Sequence, residues 1–300
     1  MSAWSVEVAA LAKASNASWH ALVEPLALMT RLTYTATSGS YYRPADRHAT
    51  VEGWERPDGL TEDPPAGMRA LFFVERATRR GVIAFRGTDL NMSSPSGRCD
   101  RCADLLLWSG SPASKLPPYC SPFSNATLDY YAAALDFVKR VREAYPTVDL
   151  LFTGHSLGAG LALAIATVTP PKPEARDTFS PAVAFAAPPW LPVLRRRAPH
   201  VPLPAESAAR TRLYALADEW DPVQRASVQA AGLRGTQCLW RSPEPPACAQ
   251  CFATTPVNSS SIACTRCFEL RHVYAHYINT DVPGPRALCK PIGEAERARA

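Results

Sequence analysis

One short stretch contains a residue pattern typical of nucleophilic catalysis. Residues 150–161, LLFTGHSLGAGL, place Ser156 between Gly154 and Gly158, with an apolar run before and an Ala/Gly-rich run after. At a strand-to-helix junction, Gly-x-Ser-x-Gly forms a nucleophile elbow, a strained turn that projects the serine oxygen toward the positive end of the next helix. A tight turn without chemistry is the alternative interpretation. The flanking context favours Ser156 as a nucleophile.

A serine nucleophile needs a base, usually a histidine held by a carboxylate. In folds built around this elbow the chain order is serine, then acid, then histidine. Of the six histidines, only His200, His272 and His276 follow Ser156. His200 precedes the best acidic candidates, so the base is His272 or His276.

The acidic candidates lie in YALADEWDPV, directly after a predicted buried strand at 211–217. They are Asp218, Glu219 and Asp221. A triad acid is expected at the end of a strand that follows the nucleophile, so the residues alone leave the choice within this cluster open.

The elements around these residues alternate between strands and helices. A hairpin is predicted at 70–89, helices at 5–37, 127–145 and 157–168, and buried strands at 148–153, 182–188 and 211–218. Such alternation specifies a layered α/β fold with a largely parallel sheet flanked by helices. We expect one domain over residues 1–300, with a lid-like loop region at 90–122 and a Cys-rich insertion at 238–267.

The chain resembles the class 3 (fungal-type) lipases of the α/β-hydrolase superfamily, including the autophagic-lipase-like branch. The resemblance runs from about residue 71 to 280. It is carried by VIAFRGTD, DLLLW, LLFTGHSLGAGLA, VAFAAP and DPV, in the family's order. It implies an α/β-hydrolase-type fold and hydrolysis of lipid esters.

The resemblance also implies roles for single residues. It favours Asp221 as the acid, with Asp218 as the alternative, and His272 as the base, with His276 as the alternative. In FRGT it implies that Thr88 donates to the oxyanion through its backbone N–H, with the Thr88 hydroxyl as a further candidate donor. A second donor is expected at the backbone N–H of Leu157, because it follows the nucleophile.

Two residues near Thr88 have structural interpretations. Arg86 is expected to form a structural ion pair, and Asp89 either holds Thr88 by a hydrogen bond or is a loop acid. The family places an amphipathic lid where residues 90–104 lie, but here the segment carries Cys99 and Cys102 and is rich in serine and charge. Residues 105–108 either line the acyl site or are buried.

Nine cysteines offer two interpretations. The spacing Cys248-x2-Cys251-x12-Cys264-x2-Cys267 is close to a zinc ribbon, in which four thiolates bind one metal. The alternative is a disulfide framework in an oxidising compartment, with at least one cysteine unpaired because the count is odd. We expect no cofactor, and zinc is the weak alternative.

The asparagines favour the disulfide interpretation. Four of five asparagines begin Asn-x-Ser/Thr sequons: Asn16, Asn91, Asn125 and Asn258. We therefore expect a secretory, extracellular or vacuolar location and glycosylation. The N-terminal residues are a poor signal peptide, which keeps a cytoplasmic location as the alternative.

Composition excludes other classes. The net charge of +5 is mild, and neither a basic stripe with interleaved aromatics nor a transmembrane run is evident, so neither nucleic acid nor a membrane span is expected. The expected partner is a lipid or other acyl ester, at a membrane or lipid-droplet surface. The oligomeric state is left open.

The function expected from these residues is a triacylglycerol lipase-like serine hydrolase. A phospholipase or galactolipase A1 and a feruloyl-type esterase are alternatives, because pocket shape, not the motif, selects the acyl substrate. A scaffold with a zinc-binding cysteine module is the alternative that is not an enzyme.

Overall fold

The computed structural model describes most of the chain. The described residues are 3–11, 16–34, 50–108, 110, 112–173, 178–229, 234–240, 243–253, 261–272 and 287–291.

A central sheet of eight strands has the same order in space as along the chain. The strands at each end pair antiparallel, whereas β3 to β7 run parallel to one another. The strands are β1 (Thr61–Glu62), β2 (Ala70–Glu75), β3 (Arg80–Phe85), β4 (Asp149–His155), β5 (Ala182–Phe185), β6 (Leu213–Asp218), β7 (Thr236–Trp240) and β8 (Ala287–Pro291).

Helices connect the strands, as parallel pairing requires. Those before β4 are α1 (Ala3–Ala10), α2 (Asn16–Leu32), α3 (Pro95–Leu107), α4 (Asn125–Leu128) and α5 (Tyr130–Ala144). Those after it are α6 (Leu157–Val168), α7 (Leu191–Arg197), α8 (Glu206–Arg212), α9 (Pro222–Gln229), α10 (Pro246–Phe252) and α11 (Ile262–Arg271). The predicted fold class, a mostly parallel sheet flanked by helices, is confirmed.

The sheet has a hydrophobic layer on each face. Alternate residues of a strand point to opposite faces: in β2, Phe72 packs with α5 and α6, whereas Phe73 packs with α1 and α2. β4 is buried along its whole length, as expected of a strand covered on both sides. The nucleophile elbow therefore follows a strand that is buried along its whole length.

Most predicted elements are present. The hairpin is β2–β3, and the helix predicted at 157–168 is α6. The helix predicted at 127–145 is divided into α4 and α5, because the Asp129 side chain accepts the Ala132 N–H and caps α5. The stretch predicted at 5–37 contains α1 and α2, and residues 12–15 and 35–37 lie outside the described residues.

The loop predicted at 90–122 is wrong over residues 95–107, which form α3. Ser94 caps this helix by accepting the Gly97 N–H, and Pro95 occupies its first turn. Serine at the N-cap followed by proline is a helix-start signal, which the Ser/Pro-rich composition concealed. Residues 109 and 111 of this segment lie outside the described residues.

The cysteines form four disulfides. The pairs are Cys102–Cys120, Cys238–Cys289, Cys248–Cys267 and Cys251–Cys264. Cys99 is left unpaired and buried, so the prediction from the odd count is confirmed. The zinc alternative requires Cys248, Cys251, Cys264 and Cys267 as thiolates, whereas the structure joins them covalently.

Among the described residues, none of the helices combines the length and the hydropathy needed to cross a bilayer.

Candidate active site

Ser156 occupies a strained turn between β4 and α6. Its φ of 54° and ψ of −124° lie in a region that residues with a side chain rarely adopt. Its backbone N–H donates to Phe185 O at 3.0 Å, which ties the turn to β5. Such strain persists only where the surrounding structure imposes it, and it is concentrated at functional sites.

The two glycines of the motif permit close backbone contacts. A Cβ on Gly158 would lie 2.2 Å from Phe85 O, and one on Gly154 would lie 2.4 Å from Gly158 O. Both distances are below any real Cβ contact. The motif therefore needs glycine at these positions because the elbow packs directly against the end of β3.

Ser156, His272 and Asp221 form a continuous hydrogen-bonded series. His272 Nε2 lies 2.8 Å from Ser156 Oγ, and His272 Nδ1 lies 3.0 and 3.1 Å from the two carboxylate oxygens of Asp221. His272 and Asp221 are buried. With Nδ1–H donating to Asp221, Nε2 is free of hydrogen and accepts from the serine hydroxyl, which is the arrangement a general base requires.

Asp221 is held by the helix that follows it. Its Oδ1 accepts the backbone N–H groups of Val223 at 2.8 Å and Gln224 at 3.1 Å, at the start of α9. A carboxylate is stabilised at a helix N-terminus, where backbone N–H groups lack partners within the helix. The aspartate is thus oriented toward His272 before any substrate is present.

Of the two alternative triad members, the structure describes only Asp218. Asp218 is buried at the end of β6, where it accepts the Trp220 N–H at 2.8 Å and lies 3.4 Å from Arg271 Nη1. The carboxylate that contacts the His272 imidazole belongs to Asp221. His276 lies outside the described residues. The catalytic roles of all these residues stay predictions.

His155, the variable residue of the elbow motif, contacts the main chain of the base. Its Nε2 lies 2.9 Å from His272 O and its Nδ1 lies 3.0 Å from Tyr34 Oη. Because a carbonyl can only accept, Nε2 carries the proton and Tyr34 donates to Nδ1. Burial, and then the neighbouring His272, lower the pKa of His155 well below its usual value. His155 is thus neutral and braces the backbone at His272.

The two predicted oxyanion donors both line the cavity at Ser156. Leu157 is the first residue of α6, where backbone N–H groups have no acceptor within the helix. The Thr88 hydroxyl donates to Asp104 Oδ2 at 2.8 Å, so its hydrogen points away from an oxyanion. The backbone N–H of Thr88 therefore stays the predicted donor.

Asp104, which accepts from the Thr88 hydroxyl, has a raised pKa. Its Oδ1 accepts the Trp108 Nε1–H at 3.0 Å. Burial raises the pKa of Asp104 to about 7, and the nearby Asp100 carboxylate adds to the rise. This carboxyl therefore changes charge near neutral pH beside the predicted oxyanion donor.

Arg86 forms a buried ion pair, in agreement with the structural interpretation. It contacts Asp100 of α3 at 2.5 Å, and Asp100 also accepts from the Tyr130 hydroxyl. Asp89 does not hold the Thr88 side chain; its carboxylate accepts the Asn91 N–H and the Ser94 hydroxyl at the start of α3. Together with the Cys102–Cys120 disulfide, these contacts fix α3 beside the site.

A cavity of about 370 Å³ opens at Ser156. Its polar lining includes Thr88, Asp104 and the exposed Arg101. Its apolar lining comes from the loop before α3, the C-terminal end of α3, the start of α6, the segment after β5, and helices α9 and α11: Leu90, Leu105, Trp108, Leu157, Pro188, Pro189, Val223 and Phe268. Of the predicted run 105–108, Leu105 and Trp108 line the cavity, while Leu107 is buried. Apolar walls with few polar groups are typical of sites for small apolar ligands.

Comparison with known proteins finds similarity to lipases. Residues 82–191 match the family model of lipase (class 3). A relative from Candida glabrata named "Putative lipase ATG15" is 32% identical over 160 residues, covering 46% of this chain and 30% of the relative. One of the same name from Eremothecium gossypii is 28% identical over 204 residues, covering 60% and 35%. The predicted resemblance to class 3 lipases of the autophagic-lipase-like branch is confirmed.

The chain spans about a third of the length of these curated relatives. Among solved structures, the extracellular lipase LipA from Serratia marcescens aligns at a TM-score of 0.49 and 18% identity, over 88% of this chain and 50% of that one. Lipase II from Rhizopus niveus aligns at 0.45 and 15%, over 75% and 82%.

Sequence reasoning missed four residues around the site. Tyr34 and Phe268 lie far from the motifs along the chain, and no local pattern marks them. Asp104 lies in DLLLW, where the apolar residues drew attention instead. Arg271, beside the base, had no signal except its position.

Proposed function

We propose that this chain is a serine-dependent carboxylic-ester hydrolase acting on lipid esters, through the triad Ser156, His272 and Asp221. The observation that carries the proposal is the 2.8 Å contact between His272 Nε2 and Ser156 Oγ, made at a strained elbow that opens into an apolar cavity. The match to class 3 lipases supports the same chemistry.

The reaction follows from this geometry. Ser156 Oγ attacks the ester carbonyl as its proton passes to His272 Nε2, and Asp221 stabilises the resulting imidazolium. The backbone N–H groups of Leu157 and Thr88 hold the oxyanion. His272 then gives the proton to the departing alcohol. Water, activated by the same histidine, hydrolyses the acyl-enzyme and regenerates Ser156.

The cavity supports an apolar acyl group. A ring or chain placed at Ser156 contacts Leu105, Trp108, Pro188 and Phe268. We propose a triacylglycerol-type ester as substrate, with a phospholipid or galactolipid A1 ester or a feruloyl ester as alternatives. Hydrolysis of a triacylglycerol, a phosphatidylcholine, a galactolipid and methyl ferulate under one condition ranks the four.

The test of the chemistry is turnover of a short-chain nitrophenyl ester by Ser156→Ala. We expect kcat to fall about 10⁴-fold or more, because the nucleophile is lost. Ser114→Ala, at an exposed serine that does not line the cavity, is the matched control and should keep full activity. Equal rates for wild type and Ser156→Ala would overturn the proposal.

An oxidising lumen, vacuolar or secretory, is the proposed location. Four disulfides and similarity to the ATG15 relatives are compatible with it. Asn125 is exposed and begins a sequon, which makes it a candidate glycosylation site; Asn258 lies outside the described residues. A glycosidase-sensitive mass shift that disappears in Asn125→Gln tests the modification, and an unshifted mass would contradict it.

A further inference from the structure

Helices α10 and α11 form a hairpin that is cross-linked twice. Cys248–Cys267 and Cys251–Cys264 join the two helices, and all four cysteines are buried. The four cysteines form a small hydrophobic cluster with Trp220 and Phe252, separate from the two cores beside the sheet. The hairpin is thus a small unit with its own core.

The hairpin ends at the base. His272 is the C-cap of α11 and its N–H donates to Phe268 O at 2.8 Å. The rings of Phe268 and His272 lie 4.5 Å apart between centroids. The position of the imidazole therefore follows the position of α11.

The hairpin also contacts the loop that carries the acid. Cys267 Sγ lies 3.6 Å from Trp220 O, one residue before Asp221. The Arg225 guanidinium lies 4.4 Å from the Trp220 ring centroid and 4.3 Å from that of Phe252, so it is sandwiched between the loop and α10. Such cation–π contacts attract the guanidinium to both ring faces and so link the loop to α10.

A polar clamp joins α11 to the sheet next to the base. Arg271 Nη1 lies 3.4 Å from the buried Asp218 Oδ2, and Arg271 Nη2 donates to Pro243 O at 2.9 Å. Asp218 in turn accepts the Trp220 N–H. The residue considered as the alternative acid thus ties the end of β6 to the residue that precedes the base.

We propose that the disulfide-bonded hairpin, with Arg271 and Asp218, is the positioning device that holds His272 against Ser156 and Asp221. This inference rests on the proposed function for its kinetic consequence. A displacement of about 1 Å at a reacting group can cost 10²-fold in rate. Loss of the cross-links is therefore expected to remove turnover while the sheet stays folded.

The first test removes both hairpin disulfides by replacing the four cysteines with alanine. The control is Cys238→Ala/Cys289→Ala, which opens a 51-residue separation between β7 and β8, against 19 and 13 in the hairpin. By loop entropy, the two hairpin bridges together restrict the unfolded chain more than the single longer bridge does, so the hairpin variant is expected to be the less stable of the two. Turnover is therefore compared at a temperature at which circular dichroism shows both variants folded, where a role in stability alone would leave kcat unchanged in each.

A positioning role predicts a loss of turnover in the folded hairpin variant alone. Below the unfolding transition, the hairpin variant should show kcat about 10²-fold lower with KM within about twofold. The control should stay near wild-type turnover. Unchanged kcat in the hairpin variant, or an equal loss in the control, would overturn the proposal.

A readout that does not need turnover separates this proposal from the proposed function. Amide hydrogen exchange in residues 213–225 should accelerate in the hairpin variant but stay slow in 149–168, which the hairpin does not hold. If Ser156→Ala leaves turnover unchanged, the proposed function fails, and the exchange comparison still decides the positioning role. Exchange that is unchanged in 213–225 contradicts it.

The second test changes the clamp alone. Arg271→Ala should lower kcat about tenfold or more with little change in KM, whereas Arg266→Ala, at an exposed arginine of the same helix, should not. Arg271→Lys should recover part of the loss, because the charge next to Asp218 is kept while the forked geometry is lost. Equal behaviour of the Arg271 and Arg266 variants would contradict a positioning role.

Discussion

The two sides of the candidate site are held in place by different kinds of interaction. Ser156 follows a strand that is buried along its whole length, and its turn is set by backbone contacts of Gly154 and Gly158 with neighbouring backbone. His272 lies at the end of a small hairpin whose interior is two disulfides and two aromatic rings. One side is part of the sheet and its hydrophobic layers, and the other is attached to the sheet by cross-links and side chains.

This difference predicts which side of the site loses its geometry first. A strained turn next to β4 can change only if the packing around it changes, so the nucleophile side should be lost together with the fold. The base side has few buried apolar contacts of its own, and regions of that kind open locally at lower free energy than the core. Activity is therefore expected to be lost on the base side while the sheet is still folded.

The largest expected effect is the loss of turnover when the Asp221 carboxylate is neutralised. Asp221→Asn keeps an oxygen that can accept from Val223 and Gln224, so α9 stays capped, but it removes the charge that stabilises protonated His272. We expect kcat to fall about 10⁴-fold with little loss of thermal stability. Asp218→Asn, measured beside it, should lose less turnover; a larger loss at Asp218 would reverse the assignment of the acid.

The next largest effect is expected from a substitution in the turn that carries Ser156. Gly158→Ala places a Cβ 2.2 Å from Phe85 O, and a backbone atom cannot move aside. Overpacking of this kind costs about 1–3 kcal/mol or more, so activity and the main unfolding transition should be lost together. Urea unfolding followed by circular dichroism measures the change in the free energy of unfolding.

Gly59→Ala is the control for that measurement. Gly59 has a φ of +79° but nothing within 4 Å of an added Cβ, so it tests backbone strain without a clash. Its cost should be about 1–2 kcal/mol. A Gly158→Ala variant as stable as the control would show that the elbow is less constrained than its contacts indicate.

The smallest effect concerns Asp104, which accepts from the hydroxyl of Thr88, a predicted oxyanion donor. Its pKa of about 7 in the folded protein lies above its usual value of 3.8, so the folded state holds the proton that the unfolded state releases. Stability contributed by that proton is fully present below about pH 4 and is lost as the pH rises to about 7. In Asp104→Asn this loss disappears.

The difference in Tm between wild type and Asp104→Asn should therefore become less favourable to wild type from pH 4.5 to 7.5. Thermal unfolding at intervals of half a pH unit measures it. A difference that does not vary with pH would contradict the raised pKa.

Local patterns predicted the sheet side of the site well. The apolar run before Ser156, the small residues around it and the run after it determine β4, the elbow and α6, because each depends on contacts between residues close in the chain. The family's motif order added Thr88, Asp221 and His272. The helix at 95–107 is not predicted, because the Ser/Pro-rich composition conceals the helix-start signal of Ser94 and Pro95.

The base side could not be predicted to the same depth. Two Cys-x2-Cys pairs separated by twelve residues fit a zinc ribbon and two disulfides alike, since both bring the same side chains together. Which pairs form depends on how α10 lies against α11, and this cysteine cluster packs against Trp220, which is distant in the chain. No periodicity records such a contact.

By itself the sequence determined the layered α/β fold, the elbow with its serine, and the short set of histidines and acids able to serve it. Tertiary structure alone decided that Asp221, rather than Asp218, lies on His272, that Asp218 pairs with Arg271, and that His155 braces the base. The physical reason is range. Hydrophobic periodicity and turn chemistry act within a few residues, whereas hydrogen bonds such as that of His272 with Ser156 join atoms 116 residues apart and exist only once the chain has folded.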